Sequence, residues 1–430
     1  MMMKEAFVQY VWEKQLFVTL TMHTEQKHTL SVIHTGQWST LAGPDFFYAQ
    51  ILLDGQRWAG NVEVHLQSSD WYRHHHERDS RYDNVILHVV WEYDTPVYNS
   101  RGSEIPTLVV AKYVQTGVMQ RAEELFAPKS TINCQRLLKN ALTPVYWHKW
   151  KETLYVERLQ DKTLQIEQLL QETTFNWNQV LLCLVAKSFG LNMNGDAFFD
   201  LAKALPIQLL FKEGDELINI EALFFGMAGF LNENNDRIDR YYEELVKRWK
   251  FYQHKYQLLP RNDKAMHFFK LRPANFPTIR LAQLSSWFFY QKHNFYQLWE
   301  SRDQSTLLKL VDATVSPYWE THYTFDKQSK PHKKRLTLAF KELVLLNTII
   351  PLQYVWASYK NAVDDVEKII EMSSFLQAES NAITDLFKRE GVEIQNANDS
   401  QAIIQLKKKY CDLNRCLSCA IGMAILNKKN

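Results

Sequence analysis

A change in the spacing of apolar residues near residue 115 constrains the fold of this 430-residue chain more than any other feature. Before that point, apolar runs are short, rich in Val and Ile, and separated by turn residues, which is typical of strands. After it, apolar residues recur with the 3.6-residue period of helices. We therefore predict an α+β protein in which residues 1–115 form a small mixed β-sheet domain and residues 116–430 a large all-α domain.

The two segments also differ in charge. Residues 1–115 hold 9 Lys and Arg against 13 Asp and Glu, which leaves 41 against 35 for the remainder of the totals of 50 and 48. Eight of the 14 His also lie in the first segment. A formal net charge of +2 gives no global basic field. Metal chemistry is therefore expected in the first segment, and nucleic-acid contacts in the basic helical one.

The sequence also bears on location. Lys4, Glu5 and Glu13 interrupt any signal-peptide core. The most apolar run, from Leu343 to Ala357, is too short to cross a membrane and is broken by Pro351, so it is predicted to be a buried helix. The chain has five Cys, an odd number, and their spacing does not match a secreted disulfide framework. We expect a cytoplasmic protein without a membrane partner, and the sequence leaves its oligomeric state open.

A predicted hairpin carries the most informative residues. Asp54-Gly55 is a strong two-residue turn signal between two apolar runs. Alternation along the second strand puts Glu63 and His65 on one face, and Asp45 precedes the first strand. Two converging carboxylates would form a site for Mg²⁺ or Mn²⁺, with Asp45 and Glu63 as ligands. Such an ion can polarise a phosphodiester and lower the pKa of its bound water.

The register of this hairpin poses a problem. With a two-residue turn, Asp45 lies opposite Val64 and shares a face with it rather than with Glu63. A one-residue bulge would bring the two carboxylates together, and Gly60-Asn61 is the expected place for it.

A second polar cluster follows in the stretch DWYRHHHERD, predicted as a helix from a Ser69-Asp70 cap to about Asp79. On a helix, His74, His75 and His76 point in different directions and cannot all bind one ion. His76 and Asp79 could share a face, and His88 lies on the next predicted strand. The alternative is a solvated polar turn with His88 hydrogen-bonded in a core.

Cysteines and arginines form two further candidate sites. Cys411, Cys416 and Cys419 could bind zinc or an iron–sulfur cluster if Cys134 or another group supplied a fourth ligand. The alternative is that they are ordinary core residues. Arg272 and Arg280 could contact phosphate, or they could instead bond to helix carbonyls in a structured connection.

The order of predicted elements and the Asp45, Glu63-x-His65 pattern resemble the PD-(D/E)XK superfamily of restriction-endonuclease-like phosphodiesterases. That resemblance implies a core of a helix, three strands, a helix and a strand. It also implies Asp45 and Glu63 as metal carboxylates, with His65 where the superfamily has Lys. A neutral His lacks the fixed positive charge of Lys. His65 could act as a base or a metal ligand, or the site could be inactive.

Longer strings resemble a bacterial family of unknown function over nearly the full chain. They are GPDFFYAQI, the stretch from WAGNVEVHLQ to VILHVVWEYD, EALFFGMAG, LRPANFP, and YC followed by CLSCAIG. The resemblance implies roles for Asp45, Glu63, His65, His74, His76, Asp79 and His88. It also implies that His75 is dispensable.

These observations predict a divalent-metal-dependent phosphodiesterase or nuclease of PD-(D/E)XK type acting on nucleic acid. The alternative is a catalytically inactive nuclease-like protein that serves as a binding or scaffold module. A third option is a protein with a His-rich zinc site.

Overall fold

The computed structural model describes residues 4–39, 42–126, 132–135, 138, 141–231, 239–260, 266–325 and 327–428. The chain divides into two compact units. One comprises Met1–Trp150, Arg389–Val392 and Leu406–Asn430, and the other comprises Lys151–Lys388 and Glu393–Gln405. The change from sheet to helix near residue 115 therefore falls inside the first unit, which also includes the C-terminal segment.

The first unit contains a mixed sheet. Its strands are β1 (Met22–His23), β2 (Thr29–His34), β3 (Gln37–Trp38), β4 (Phe46–Leu53), β5 (Gln56–Gln67), β6 (Val85–Glu92) and β7 (Thr107–Val109). Their order is β1-β2-β4-β5-β6-β7, with β3 also paired to β4. The β4–β5 pair is antiparallel, whereas β5–β6 and β6–β7 are parallel. The predicted α+β class with an N-terminal mixed sheet is confirmed.

One face of this sheet is an apolar core. Helix α1 (Glu5–Glu13) packs against β5 and β6, and its Phe7 ring lies 6.0 Å from the Trp91 ring. Alternation places Val64 and Val89, which are paired in register and fully buried, on the face that Trp91 shares. Burying each such side chain contributes about 1.5–3 kcal/mol. The opposite face is therefore left for the polar side chains of β5 and β6.

The segment between the parallel strands β5 and β6 covers that opposite face. It contains the short helix α2 (Asp70–Arg73) and two 3₁₀ turns, His76–Arg78 and Ser80–Tyr82. Trp71 and Tyr82 belong to a buried apolar cluster in this layer. A parallel pair requires a crossover connection, and this one carries the histidine-rich sequence across the sheet.

The second unit is mainly helical, as predicted, but it is not all-α. A small antiparallel pair, β8 (His322–Thr324) and β9 (Lys327–Gln328), forms a separate two-stranded sheet. Strands this short leave no periodicity to detect. The remaining helices of the chain are α3 (Thr116–Phe126), α4 (Pro144–Glu172), α5 (Trp177–Phe189), α6 (Leu191–Ala204), α7 (Ile207–Glu213), α8 (Leu217–Met227), α9 (Arg240–Tyr256), α10 (Pro277–Gln291), α11 (Phe295–Glu300), α12 (Gln304–Leu310), α13 (Pro317–Glu320), α14 (Leu338–Val344), α15 (Ile350–Tyr359), α16 (Val363–Ser374), α17 (Ala382–Arg389), α18 (Ala397–Gln405) and α19 (Ala420–Leu426).

The most apolar helical run extends further than predicted. Helices α14 and α15 continue through a π-helical turn at Leu345–Ile349 into one run, Leu338–Tyr359, that is long and apolar enough to cross a membrane. The π turn lets the chain pass Pro351 without ending the helix, so the predicted break there is wrong. Buried residues make up 61% of its apolar window, which fits the prediction of a buried helix. One such helix is weak evidence for a membrane span.

Candidate metal centre

A bulge in β4 brings Asp45 beside Glu63. The Asp54-Gly55 turn is confirmed, with both residues at positive φ and Leu53 paired with Gln56. Between Phe46 and Ala49 the register then shifts by one residue, so that Phe46 pairs with Val62.

The bulge was predicted at Gly60-Asn61, and that location is wrong. The extra residue lies in the partner strand, where Tyr48 has a φ of 62°. Gly60 has a different role, because a Cβ there would lie 2.4 Å from Ile86 Cγ2. It therefore allows the start of β6 to approach closely.

Backbone hydrogen bonds fix the two carboxylates. The Asp45 N–H donates to Glu63 Oε2 at 3.0 Å, and the Val64 N–H donates to Asp45 Oδ2 at 3.1 Å. From α1, the Gln9 amide donates to Asp45 Oδ1 at 3.0 Å. Sequence reasoning missed Gln9 and its neighbour Glu5. The available signal was the polar i, i+4 pair that they form on a helix whose other inward positions are apolar.

A break in the predicted helix brings two histidines together. Helix α2 ends at Arg73 rather than near Asp79, and His75 has a left-handed backbone with φ of 60° and ψ of 31°. His74 Nδ1 lies 3.1 Å from His65 Nε2, and the His76 ring stacks on the His65 ring at 5.3 Å. The argument that successive histidines must diverge holds for a helix. It fails here because the chain reverses at His75, whose own side chain is exposed.

Glu63 lies within reach of both buried imidazoles. Its Oε1 is 3.4 Å from His65 Nε2 and 3.3 Å from His76 Nε2. His76 Nε2 is buried and close to Glu63 Oε1, but the two atoms are not aligned for a hydrogen bond, and His76 Nε2 has no other hydrogen-bond partner. Among the described residues, His65, His74 and His76 are the group of His, Cys, Asp or Glu whose ligand atoms all lie within 4.8 Å of one another.

His88 orients this group from the next strand. Its Nε2 lies 2.9 Å from His65 Nδ1, which leaves His65 Nε2 directed at His74 and Glu63. Imidazole ligands of metals commonly use their second nitrogen in this way. Asp79 lies outside this group of histidines and carboxyls. It forms an ion pair with Arg81, and the hydrogen bonds that Arg81 donates lower the pKa of Asp79 to about 2.

Burial shifts the pKa of both carboxyls and of two buried imidazoles at this site. It raises the pKa of Asp45 to about 7, with a further contribution from Glu63, and it raises the pKa of Glu63 to about 8. Burial also lowers the pKa of His65 to about 2 and of His88 to about 3, helped by neighbouring imidazoles. His65 and His88 are therefore neutral at pH 7. Neutral imidazoles and clustered carboxyls can both donate lone pairs to a cation.

The other predicted site residues lie elsewhere. Arg280 is buried in the second unit, where it donates to Asn275 at 2.6 Å and to Gln283 at 3.0 Å and stacks on the Phe340 ring. Arg272 is exposed just before a 3₁₀ turn in the same unit. The acceptors of Arg280 are side-chain amide oxygens rather than helix carbonyls, and phosphate contact by Arg272 and Arg280 stays a prediction. The four cysteines named above all belong to the first unit.

Fold and side chains together define an α+β protein with a buried carboxylate–imidazole cluster on one face of its sheet. The chain belongs to the family described as "Protein of unknown function (DUF2851)", whose model matches residues 5–382. This confirms the expected membership of an uncharacterised family that covers nearly the whole chain. No curated protein and no solved structure matches the chain.

Proposed function

We propose that this protein is a divalent-metal-dependent phosphodiesterase, a nuclease of PD-(D/E)XK type, with its ion bound at Glu63. The distances around Glu63 Oε1, 3.4 Å to His65 Nε2 and 3.3 Å to His76 Nε2, carry this proposal. Ligand atoms on a tetrahedral ion with bonds of about 2.0–2.1 Å are about 3.3–3.4 Å apart. Glu63, His65 and His76 would leave the fourth position of the ion for water. His74 Nδ1 lies 3.1 Å from His65 Nε2, beside these ligands.

The ligand set favours particular ions. Carboxylates suit Mg²⁺ and Mn²⁺, whereas imidazoles suit Zn²⁺ and other transition metals. A mixed set at Glu63 should therefore bind Mn²⁺ or Zn²⁺ more tightly than Mg²⁺. Asp45 is the second carboxylate, and its hydrogen bonds from Val64 and Gln9 hold it beside Glu63.

The proposed chemistry assigns a role to each group. The ion would lower the pKa of a bound water. Asp45, with a pKa raised by burial to about 7, is suited to accept the proton of that water. A water deprotonated in this way would attack phosphorus, the bond to the leaving oxygen would break, and the leaving oxygen would take a proton from solvent. His65, neutral at pH 7, acts as a ligand rather than as a substitute for the charge of Lys.

Burial favours a second candidate, a metal-binding domain without catalysis. Glu63 is 5% exposed and His65 is 1% exposed. Structural metal sites are closed and use four protein ligands, whereas catalytic sites keep an open position. If Glu63 and all three histidines bound one tetrahedral ion, no position would remain for water. Nucleic acid would then be at most a binding partner.

The test uses the full chain, stripped of metal and supplied with Mn²⁺, Zn²⁺ or Mg²⁺. Metal content and cleavage of single- and double-stranded DNA and RNA are measured for the parent and for Glu63→Gln. We expect the parent to bind an ion and cleave, and Glu63→Gln to lose both. The matched control is Glu221→Gln, another buried carboxyl with a raised pKa, in the second unit, which should keep both. Binding without cleavage would support the second candidate, and no binding would reject both.

A further inference from the structure

The first unit gathers most of the cysteines of the chain. Four of the five, Cys134, Cys411, Cys416 and Cys419, belong to this unit although Cys134 is far from the others in sequence. None of them forms a disulfide, and Cys134, Cys416 and Cys419 are buried. Free cysteines are often buried singly as small apolar residues, but four in one place need a further explanation.

The backbone between Cys411 and Cys419 is tightly folded. A π-helical turn, Leu406–Cys411, ends at the first thiol, and Asn414 has a positive φ of 52°. A 3₁₀ turn, Cys416–Ser418, follows, in which the Cys419 N–H donates to the Cys416 carbonyl at 3.3 Å. Gly422 lies so close to this turn that a Cβ would be 2.1 Å from the Cys416 carbonyl oxygen. The turn is therefore held firmly against α19.

The segment that carries Cys134 is tied to this turn. The Asn133 amide donates to Asn414 Oδ1 at 2.9 Å and to Cys416 Sγ at 3.8 Å. Burial raises the pKa of Cys411, and the nearby thiols of Cys134, Cys419 and Cys416 raise it further. The Cys411 thiol therefore lies near the other three, and an amide already donates to Cys416 Sγ, as hydrogen-bond donors do to the sulfurs of iron–sulfur centres.

The local charge suits an anionic centre. Lys407, Lys408, Lys409 and Arg415 flank the thiols, against Asp412. Four thiolates around a zinc ion or an iron–sulfur cluster carry net negative charge, which such cations offset. We propose that Cys134, Cys411, Cys416 and Cys419 form a four-thiolate site for a metal centre that joins the C-terminal segment to the first unit. Each thiol releases its proton to solvent as its sulfur binds the metal.

The spacing favours an iron–sulfur cluster over a single zinc ion. Sulfurs around one zinc with bonds of about 2.3 Å are about 3.8 Å apart. Among the described residues, His65, His74 and His76 are the group of three or more ligand atoms within 4.8 Å, so the four sulfurs are spread more widely. In a [4Fe–4S] cluster each thiolate binds a different iron, so the sulfurs lie further apart than around one zinc ion. C-x4-C-x2-C spacing occurs in plant-type iron–sulfur proteins.

The test uses the full chain purified without oxygen, with iron, acid-labile sulfide and zinc measured per chain together with the visible absorption spectrum. We expect iron, sulfide and broad visible absorption in the parent, and their loss in Cys416→Ser. The matched control, Cys183→Ala, changes the one cysteine outside the site and should retain the metal. Zinc in the parent that is lost in Cys416→Ser would support the same site with a single ion.

Thiol alkylation followed by mass spectrometry separates loss of metal from loss of fold. In the parent, the four thiols should be protected and should react after the metal is removed, while circular dichroism shows that the helices persist. The proposal is overturned if the parent holds no metal as purified and none after supply of zinc or of iron with sulfide. Equal metal content in the parent, Cys411→Ser and Cys416→Ser would overturn it as well. The outcome is independent of catalysis at Glu63.

Discussion

Buried ionisable groups are treated differently in the two units. In the second unit, Lys334 Nζ donates to the carbonyls of Trp319, Glu320 and His322. In the first unit, the carboxyl of Asp45 lies beside that of Glu63, and three imidazoles lie close to one another. The second unit satisfies the buried charge of Lys334 with backbone carbonyls, whereas the first unit brings the carboxyl of Asp45 close enough to that of Glu63 for their repulsion to raise its pKa. A cation would relieve this repulsion, and for that reason the proposed metal site lies in the first unit.

A raised pKa alone does not make this distinction. Burial raises the pKa of Glu221 in the second unit to about 7, much as it does for Asp45. Glu221, however, faces the hydroxyls of Ser316 and Tyr241 and no second carboxyl. The convergence of several donors distinguishes the candidate site, since desolvation acts on any buried acid.

The largest expected effect comes from removing a ligand. We expect His65→Leu to weaken Mn²⁺ and Zn²⁺ binding by more than about 100-fold, because even groups that only orient ligands contribute about 10- to 100-fold. Titration calorimetry with the metal-free full chain measures this. Lys334→Met in the second unit should lower the free energy of unfolding and leave metal affinity unchanged. Equal loss of affinity in both variants would remove the contrast between the units.

The second effect concerns His88, which contacts His65 rather than the ion. We expect His88→Leu to weaken metal binding by about 10- to 100-fold through the freed His65 ring. The substitution leaves His65 Nδ1 unpaired but also removes His88 Nδ1, which is buried without a partner, so the metal-free protein should lose less than about 3 kcal/mol of stability. A loss of metal-free stability that accounts for the whole effect would make His88 an ordinary core residue.

The strands of this site were predictable because their signals are local. The Asp54-Gly55 turn and the alternation through Glu63 and His65 fix the hairpin and the shared face. The bulge at Tyr48 was misplaced because Gly60 is the better bulge residue by composition. Gly60 is instead explained by its close contact with Ile86 on the next strand, and a local sequence pattern does not reveal such a contact.

The histidine arrangement was less predictable. Convergence of His74 and His76 depends on the left-handed conformation of His75, which sequence periodicity does not report. Gln9 joins the site from a helix 36 residues from Asp45. Tertiary contacts of this kind follow from packing rather than from local propensity. For the histidines, the sequence identified the candidate residues but not their convergence.

The third effect is a dependence of stability on pH, opposite in sign with and without metal. The folded-state pKa values of Asp45 and Glu63, about 7 and 8, lie above those of the unfolded chain, so the folded state holds more protons and stability falls as pH rises through this range. The lowered pKa values of His65 and His88 act the other way, but only below about pH 6.5. The window from pH 6.5 to 8 therefore isolates the carboxyls.

We expect metal-free Glu63→Gln to be more stable than the parent at pH 8 by about 1.4 kcal/mol or more, the free energy of a one-unit pKa shift. With saturating Mn²⁺ the order should reverse, because only the parent gains binding free energy. Chemical denaturation at pH 6.5 and 8, with and without Mn²⁺, tests both signs. Glu221→Gln should show no reversal with metal, since its site binds none.

The smallest effect concerns His75, whose side chain is exposed while its backbone is left-handed. Glycine adopts this conformation without steric cost, so His75→Gly should change the free energy of unfolding by less than about 1 kcal/mol. Metal affinity should be unchanged, because the turn that brings His74 and His76 to His65 is preserved. His75→Val should weaken metal binding and stability together, since a β-branched residue resists positive φ. If both variants bound metal as the parent does, the convergence of the two histidines would not depend on this turn.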